Sequence, residues 1–254
     1  MPVVFVTGAS RGVGRAIAMQ FAAAGYAVAA TGRSDSSLHH IENDLAGFGV
    51  DVFTARCDVT DRGTVASAAA QTEERLGPID VLVNNAGVAD SAPFAAMADD
   101  LWDRMIAVNL TGTYHCMRAI LPGMLERRRG RVINIASTAG KTGFAYTAAY
   151  CASKHGVVGL TRAVALEAAA KGVTVNAICP GWADTDMTKG TIDRIVRFTG
   201  RSPDEARATL EAMNPQRRLI EPNEVAALAV FLASPEARGI NGQALSVDGG
   251  EVTA

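Results

Sequence analysis

Short apolar runs rich in β-branched residues alternate along this chain with longer, alanine-rich segments of helical period. Continuously apolar strands are buried on both faces, and helices between such strands make them parallel. The alternation predicts an α/β fold with a doubly wound parallel sheet covered by helices on both faces. The predicted strands are Val3–Thr7, Ala27–Thr31, Val50–Ala55, Val81–Asn84, Arg131–Ala136, Val173–Ile178 and Ala244–Val247. The predicted helices are Val13–Ala24, Ser36–Gly47, Asp61–Leu76, Ala98–Glu126, Ala148–Ala170 and Pro222–Ala233.

Nothing in the sequence divides these elements into separate domains. The 254 residues contain no linker rich in Pro, Ser or Gly and no internal repeat, so a single domain over residues 1–254 is predicted. The segment 184–216 breaks the strand–helix rhythm and is interrupted by Gly190, Gly200, Pro203 and Pro215. A long insertion after a strand is often a functional loop. We therefore predict one or two short helices there, no strand, and a lid over the substrate.

Charge and cysteine content exclude several classes of function. The formal net charge is −2, from 24 basic and 26 acidic residues, which gives no electrostatic basis for binding nucleic acid or an anionic membrane. Cys57, Cys116, Cys151 and Cys179 are far apart in sequence and form no C-x-x-C pair, which argues against zinc, disulfide-exchange and iron–sulfur chemistry. The N-terminus has no secretory signal pattern. A cytoplasmic protein with buried, reduced thiols and no metal is expected.

The N-terminal motif predicts binding of an anion. Residues Val3 to Gly14 read as a strand, a turn with the spacing G-x-x-x-G-x-G, and the start of a helix. Glycines let the backbone approach a pyrophosphate closely, and the first N–H groups of the helix point at it. The alternative is that these glycines only punctuate the chain.

Six motifs follow one another in fixed order: T-G-x-x-x-G-x-G (Thr7 to Gly14), N-N-A-G (Asn84 to Gly87), Asn109, Ser137, Y-x-x-x-K (Tyr150 to Lys154) and Pro180-Gly181. In this order and spacing the chain resembles the short-chain dehydrogenase/reductase family over essentially its whole length. The resemblance implies a Rossmann fold with strand order 3-2-1-4-5-6-7. It also implies that a bound nicotinamide dinucleotide is contacted by Gly8, Ser10, Arg11, Gly12, Val13, Gly14, Arg33, Asp58, Val59, Asn85, Ala86, Gly87, Tyr150, Lys154, Pro180, Gly181 and Thr185.

The end of the second strand bears on the choice of cofactor. An acid at this point favours NAD because it binds the ribose 2′-hydroxyl. Here the position is Gly32, followed by Arg33, and Arg11 lies in the glycine turn. A guanidinium can grip a 2′-phosphate through paired hydrogen bonds, so NADP(H) is predicted. The alternative is that both arginines are solvated surface charges.

Two of the implied cofactor contacts have ordinary structural alternatives. By resemblance, Asp58 meets the adenine amino group, although an aspartate here can also cap the helix that begins near Asp61. By resemblance, Thr185 and the backbone before it meet the nicotinamide carboxamide. Thr185 can instead cap the helix that follows it.

Tyr150 and Lys154 are four residues apart on a predicted helix and therefore share one face. The ammonium, together with a positive nicotinamide ring, is expected to lower the pKa of the phenol so that Tyr150 exchanges a proton with the substrate. Ser137 ends the fifth strand, where its hydroxyl can bond the substrate oxygen. The resemblance implies that Asn109 kinks its helix and holds a water leading protons towards Lys154. These four form the predicted catalytic set.

The reaction predicted from these residues is hydride transfer between NADP(H) and a carbonyl or secondary alcohol. Residues Asn134 to Val158 resemble polyketide and 3-oxoacyl reductases, which implies a 3-oxoacyl thioester, carried on coenzyme A or acyl carrier protein, or a cyclic ketone. The basic run 127–131 either complements a helix C-terminus or docks such a carrier. The alternative class is a non-catalytic, NADP(H)-sensing regulatory module. By resemblance, the helices Ala98–Glu126 and Ala148–Ala170 and the C-terminal segment 249–251 imply a homotetramer.

Overall fold

The computed structural model describes residues 1–253. Its centre is a seven-stranded, all-parallel sheet of order β3-β2-β1-β4-β5-β6-β7, which confirms the predicted topology. The strands are β1 (Val3–Thr7), β2 (Ala27–Gly32), β3 (Val52–Arg56), β4 (Ile79–Asn84), β5 (Gly130–Ile135), β6 (Val173–Pro180) and β7 (Ala244–Val247). The order reverses between β1 and β4, which creates a crevice at the carboxyl ends of the strands.

Helices cover both faces of this sheet. They are α1 (Gly12–Ala23), α2 (Asp35–Leu45), α3 (Arg62–Leu76), α4 (Asp99–Met105), α5 (Gly112–Arg127), α6 (Ala148–Ala169), α7 (Asp186–Thr199), α8 (Pro203–Glu211) and α9 (Pro222–Ala233). Three-residue 3₁₀ turns lie at Ala46–Phe48, Phe94–Ala96, Thr138–Gly140 and Pro235–Ala237.

Two apolar layers hold the helices to the sheet. Side chains of β1 alternate between the layers, because successive residues of a strand point to opposite faces. Val4 and Val6 pack with Ile17 and Phe21 of α1 and with α9, whereas Phe5 packs with α3 and α5. All five residues of β1 are buried. The strand that carries the glycine turn is thus anchored at the centre of the molecule.

The predicted helix Ala98–Glu126 is interrupted. Its middle, Ile106–Thr111, is a π-helix that joins α4 to α5. A π-segment inserts a residue into the i→i−4 ladder and is common at functional sites. Asn109 lies within it, which agrees with the kink implied at that residue.

The segment 184–216 contains α7 and α8, so both short helices are present and no strand is assigned within it. The chain that enters this segment is bonded to the chain that leaves it. Asp184 N–H donates to Ile220 O at 2.9 Å, and Ile220 N–H donates to Trp182 O at 2.8 Å. Ile192 of α7 and Ala206 and Leu210 of α8 form a small apolar cluster of their own. The segment is therefore a packed excursion from the sheet rather than an extended loop.

Within residues 1–253, no helix combines the length and apolarity that a membrane crossing requires. The same residues contain no cluster of three or more His, Cys, Asp or Glu side chains placed to hold a metal ion. Cys57, Cys116 and Cys179 are buried as expected, but Cys151, on the first turn of α6, is only half-buried, so the expectation is wrong for that residue.

Candidate active site

The predicted site residues meet at the carboxyl edge of the sheet. The glycine turn follows β1, Asn85 to Gly87 follow β4, Ser137 follows β5, and Gly181 follows β6. Because β4, β5 and β6 are neighbours in the sheet, their carboxyl ends form a continuous rim. This rim is where open parallel sheets bind ligands.

The glycine turn has the shape that a dinucleotide cradle needs. Gly8 and Gly12 adopt positive φ values of 64° and 53°, a backbone conformation that favours glycine. A Cβ at Gly14 would lie 2.2 Å from the Gly8 carbonyl oxygen, so only glycine lets α1 approach the turn this closely. The free N–H groups at the start of α1 then face the crevice, where they suit a pyrophosphate.

Thr7 joins this turn to the N-N-A-G segment. Its hydroxyl accepts hydrogen bonds from the backbone N–H groups of Asn85 and Ala86 at 2.9 and 3.0 Å. The Asn85 amide in turn donates to the carbonyls of Thr7 and Gly8 at 2.9 and 3.1 Å. The side-chain amide of Asn85 thus stabilises the conformation of the glycine turn. This role of Thr7 was not predicted. Its signal in the sequence is a hydroxyl-bearing residue at the end of an apolar strand, directly before the glycine turn.

The segment after β6 closes the other side of the crevice. Thr185 is the residue before α7, but its hydroxyl makes no capping bond; it approaches Ala183 O instead, at 3.4 Å. Its methyl group faces Gly12, where an added Cβ would lie 3.2 Å away. The glycine turn and the segment that begins at Pro180-Gly181 are therefore in contact, as a shared cofactor site requires.

The end of β2 carries no acidic side chain. Gly32 is buried, Arg33 and Arg11 are exposed, and Asp58 lies close enough to Arg33 to feel its charge. Asp58 accepts from Thr60 N–H and Oγ1 at 2.9 and 2.7 Å, and these bonds hold the pKa of its carboxyl below the ordinary value. Asp58 does not cap the next helix, because Asp61 does so itself through Gly63 N–H.

Val59, also predicted beside the adenine, is only 6% exposed and packs against Gly112 at the start of α5. Its carbonyl oxygen lies 2.9 Å from Nδ1 of His115. Its side chain therefore belongs to the core, and its predicted contact with the cofactor stays a prediction.

Tyr150, Lys154 and Ser137 lie together at the end of β5. The Lys154 ammonium donates to Ile135 O at 2.9 Å and lies 5.7 Å from the centre of the Tyr150 ring. The Ser137 hydroxyl interacts with the Tyr150 phenol and also accepts from Ala139 N–H at 3.1 Å. Ser137 thus serves both as the cap of a 3₁₀ turn and as a neighbour of the phenol.

Burial dominates the titration of Tyr150 and Lys154 in the protein alone. Burial raises the pKa of the Tyr150 phenol above its usual value, and the Ser137 hydroxyl offsets this only in part. Burial also lowers the pKa of Lys154 to about 8. In the protein alone the low-dielectric surroundings disfavour both charged forms. The depression of the tyrosine pKa expected with a positive nicotinamide ring beside it stays a prediction.

Asn109 ties three segments to this group. Its Oδ1 accepts from Val88 N–H at 2.9 Å, and its Nδ2 donates to Val88 O and to Ser153 Oγ, both at 3.0 Å. A Cβ at Gly87 would lie 3.3 Å from Asn109 Oδ1 and 3.7 Å from Lys154 Nζ. Asn109 and Lys154 therefore flank the same glycine.

Two features near the crevice were not predicted. Asp90, after β4, pairs with Arg194 of α7 at 3.0 Å and with Arg104 of α4 at 2.8 Å. Arg194 therefore does not present a free charge to a substrate.

Near Gly181, both carboxyl oxygens of Glu251 are buried without a hydrogen-bond partner among the described residues, and burial raises the pKa of Glu251 to about 7. No sequence pattern marked either feature, because both depend on contacts between distant segments.

Comparison with known proteins agrees with this arrangement. A family model described as enoyl-(acyl carrier protein) reductase matches residues 8–251. The chain is 41% identical over 251 residues to a granaticin polyketide synthase putative ketoacyl reductase of Streptomyces violaceoruber, covering 98% of this chain and 92% of that protein. It is 40% identical over 248 residues to a 3-oxoacyl-(acyl-carrier-protein) reductase of Vibrio harveyi, covering 98% of this chain and 96% of that protein.

Among solved structures, a variant of the actinorhodin polyketide ketoreductase with NADPH superimposes with a TM-score of 0.97 at 40% identity. The match covers 100% of this chain and 98% of that one. The predicted similarity to polyketide and 3-oxoacyl reductases is thereby confirmed. The sequence matches, the sheet order and the superposition together show that this chain belongs to the short-chain dehydrogenase/reductase family of oxidoreductases.

Proposed function

We propose that the chain is an NADP(H)-dependent ketoreductase, which reduces a carbonyl to a secondary alcohol and can run in reverse. The observation that carries this proposal is the grouping of Ser137, Tyr150 and Lys154 at the end of β5, beside the glycine cradle of β1. NADP(H), when bound, supplies hydride for the reduction or accepts it in the oxidation. The complete set of Asn109, Ser137, Tyr150 and Lys154 argues against the non-catalytic sensor.

Tyr150 is the proposed general acid and base. A raised pKa keeps its proton on the phenol at neutral pH, which is the form needed to protonate a carbonyl oxygen during reduction. Ser137 donates a hydrogen bond to the same oxygen and stabilises the charge that develops there. Lys154, held by Ile135 O, supplies positive charge beside the phenol. Asn109, tied to Ser153 and Val88, positions the water that leads towards Lys154.

The preference for NADP(H) rests on the end of β2. Gly32 places no carboxylate there to repel a 2′-phosphate, and Arg33 and Arg11 are both exposed. The remaining proposed cofactor contacts are the loops that follow β1, β3, β4 and β6, with the residues given above. The NADPH complex of the actinorhodin ketoreductase supports this assignment.

The proposed substrate is a 3-oxoacyl thioester or a cyclic ketone. Similar proteins include an acetoacetyl-CoA reductase of Shinella zoogloeoides, 40% identical over 251 residues, besides the acyl carrier protein reductase. Both names denote substrates on a phosphopantetheine arm. Arg128, an exposed residue at the end of α5, and Arg131, a half-buried residue of β5, are the proposed dock for such a carrier. They lie at the amino end of β5 and Ser137 follows its carboxyl end, so a long arm is required to connect this dock with the site.

Assembly, compartment and lid complete the proposal. The family resemblance is the basis for proposing a homotetramer with D₂ symmetry, in which α6 and its 82% exposed Leu166 would be covered. Light scattering tests this directly, and a stable monomer would rule it out.

The cytoplasm is the proposed compartment. Within the proposed single domain, α7 and α8 form the lid, joined to the opposite rim by Arg194 and Asp90.

The proposed function is tested by following NADPH oxidation with a panel of 3-oxoacyl thioesters, cyclic ketones and aromatic ketones. We expect turnover with at least one class and slower turnover with NADH. A protein that binds NADPH but reduces no ketone in the panel, and oxidises no corresponding alcohol, would contradict the proposal.

A further inference from the structure

Tyr146 occupies a strained position on the rim of the crevice. Its φ is +67°, in the left-handed region that is unfavourable for a bulky side chain. Its carbonyl accepts a hydrogen bond from Ala92 N–H at 2.8 Å, and this bond ties the loop after β5 to the loop after β4. Tyr146 therefore lies between two strand ends, four residues before Tyr150.

The aromatic ring of Tyr146 does not stabilise this conformation. The side chain is 67% exposed, so packing in the core does not compensate for the strained backbone. The hydrogen bond to Ala92 uses only the backbone carbonyl, which every residue type provides. Glycine would adopt the same φ without strain. A feature that neither packing nor backbone geometry requires points to a role in ligand contact.

A second exposed aromatic lies on the adjoining loop. Phe94 is 77% exposed and comes two residues after Ala92, the hydrogen-bond partner of Tyr146. Single exposed apolar side chains are ordinary on protein surfaces. Here, however, two exposed aromatics lie on loops that are joined by a backbone hydrogen bond, and these loops follow β4 and β5 at the functional edge of the sheet.

We propose that Tyr146 is a specificity-determining residue, which contacts the apolar body of the substrate beyond its reacting carbonyl. This inference rests on the proposed function and narrows it to ketones that carry a large apolar or aromatic body. The phenol ring offers a flat apolar face at little cost in conformational entropy, which suits stacking on such a body. Small ketones reach Ser137 and Tyr150 without touching Tyr146, so they gain nothing from it.

The test compares α-tetralone with cyclohexanone as substrates, by the ratio of their kcat/KM values. Tyr146→Ala keeps the strained position but removes the ring, and Tyr146→Phe keeps the ring. Phe231→Ala is the matched control, since Phe231 is a 45% exposed aromatic on α9 rather than on this rim. We expect the ratio to fall roughly tenfold in Tyr146→Ala and to stay within about twofold of the unmodified value in Tyr146→Phe and Phe231→Ala.

A ratio for Tyr146→Ala within twofold of the unmodified value, with both ketones turned over, would overturn the inference while leaving the ketoreductase function intact. If the unmodified protein reduces neither ketone, calorimetric binding of the two ketones decides the inference, while the proposed function is judged separately by the 3-oxoacyl thioesters of the panel. In that case a Kd for α-tetralone that Tyr146→Ala raises about tenfold supports the contact between Tyr146 and the substrate. An unchanged Kd refutes it.

Discussion

Lys154 Nζ lies 5.7 Å from the centre of the Tyr150 ring and donates its hydrogen bond to the Ile135 carbonyl rather than to the phenol. The lysine is therefore fixed by the end of β5 before any ligand arrives. Burial makes its ammonium easier to deprotonate, because it lowers the pKa of Lys154 to about 8. The charge of Lys154 therefore changes close to neutral pH.

The first prediction concerns the pH dependence that follows from Lys154. Its pKa of about 8 means that the ammonium is present below that pH and is lost as the pH rises through it. We expect kcat/KM for NADPH, which reports groups of the free enzyme, to fall above pH 8 in the reductive direction. Lys154→Met should lower kcat/KM and remove this limb, whereas Lys171→Met, an exposed lysine, should keep it. The same limb in Lys154→Met would refute the assignment.

The second prediction concerns the cofactor. Gly32→Asp combined with Arg33→Ala should reverse the preference from NADP(H) to NAD(H), because it replaces a phosphate contact by a carboxylate. A Cβ at Gly32 would meet Leu38 Cδ2 at 3.4 Å, an ordinary contact, so the substitution fits. The loss of one charge-assisted contact is about 1.5–3 kcal/mol, or roughly 10- to 150-fold in kcat/KM for NADPH. A higher kcat/KM for NADH than for NADPH in the unmodified protein would contradict the predicted preference for NADP(H).

The agreement between sequence and structure is greatest where a pattern is local. The glycine turn, Tyr150 and Lys154 depend on spacings within a few residues, and periodicity located the strand before the turn and the helix that carries Tyr150 and Lys154. The strand order came from the family resemblance, because periodicity alone does not specify which strands are neighbours. The site also contains features that no local pattern reveals. The pair Asp90–Arg194 joins residues 104 positions apart.

The raised pKa of Tyr150 and the positive φ of Tyr146 likewise arise from tertiary surroundings. A sequence shows which residues can titrate or turn, but burial and neighbouring segments decide whether they do. The prediction of one uninterrupted helix over residues 98–126 was wrong for a related reason. A helical period in the sequence does not distinguish a regular α-helix from one that contains a π-segment at Asn109.

The third prediction concerns the lid. Asp90 and Arg194 connect the rim after β4 to α7, which follows β6, and so span the end of β5 that carries Ser137. Arg194→Met should speed hydrogen exchange over residues 186–199 and raise KM about two- to fivefold, as expected for a partly exposed ion pair. Arg207→Met, which breaks pairs inside the same segment, is the control. Unchanged exchange in Arg194→Met would show that the pair does not hold the lid.

The fourth prediction concerns Glu251. Its folded pKa of about 7 lies above the ordinary value of 4.5, chiefly through burial and secondarily through the charge of Asp248. Between these two pH values the folded protein keeps a proton that the unfolded chain has released, so its stability falls as the pH rises. Glu251→Gln should therefore raise Tm at pH 8 more than at pH 5.

Glu126→Gln, at an exposed position, serves as the control for that experiment and should show the same change in Tm at both pH values. If Glu251→Gln behaves like this control, the Glu251 carboxyl is not protonated in the folded protein near neutral pH.

The central claim is that the Tyr150 hydroxyl exchanges the proton of the reaction, and Tyr150→Phe tests it most directly. The variant keeps the ring and removes only the hydroxyl. Single-turnover reduction with bound NADPH should slow about 10²–10⁴-fold, the range typical of a lost general acid, while the Kd for NADPH changes little. If Tyr150→Phe retains more than roughly a tenth of the unmodified rate, Tyr150 is not the proton donor.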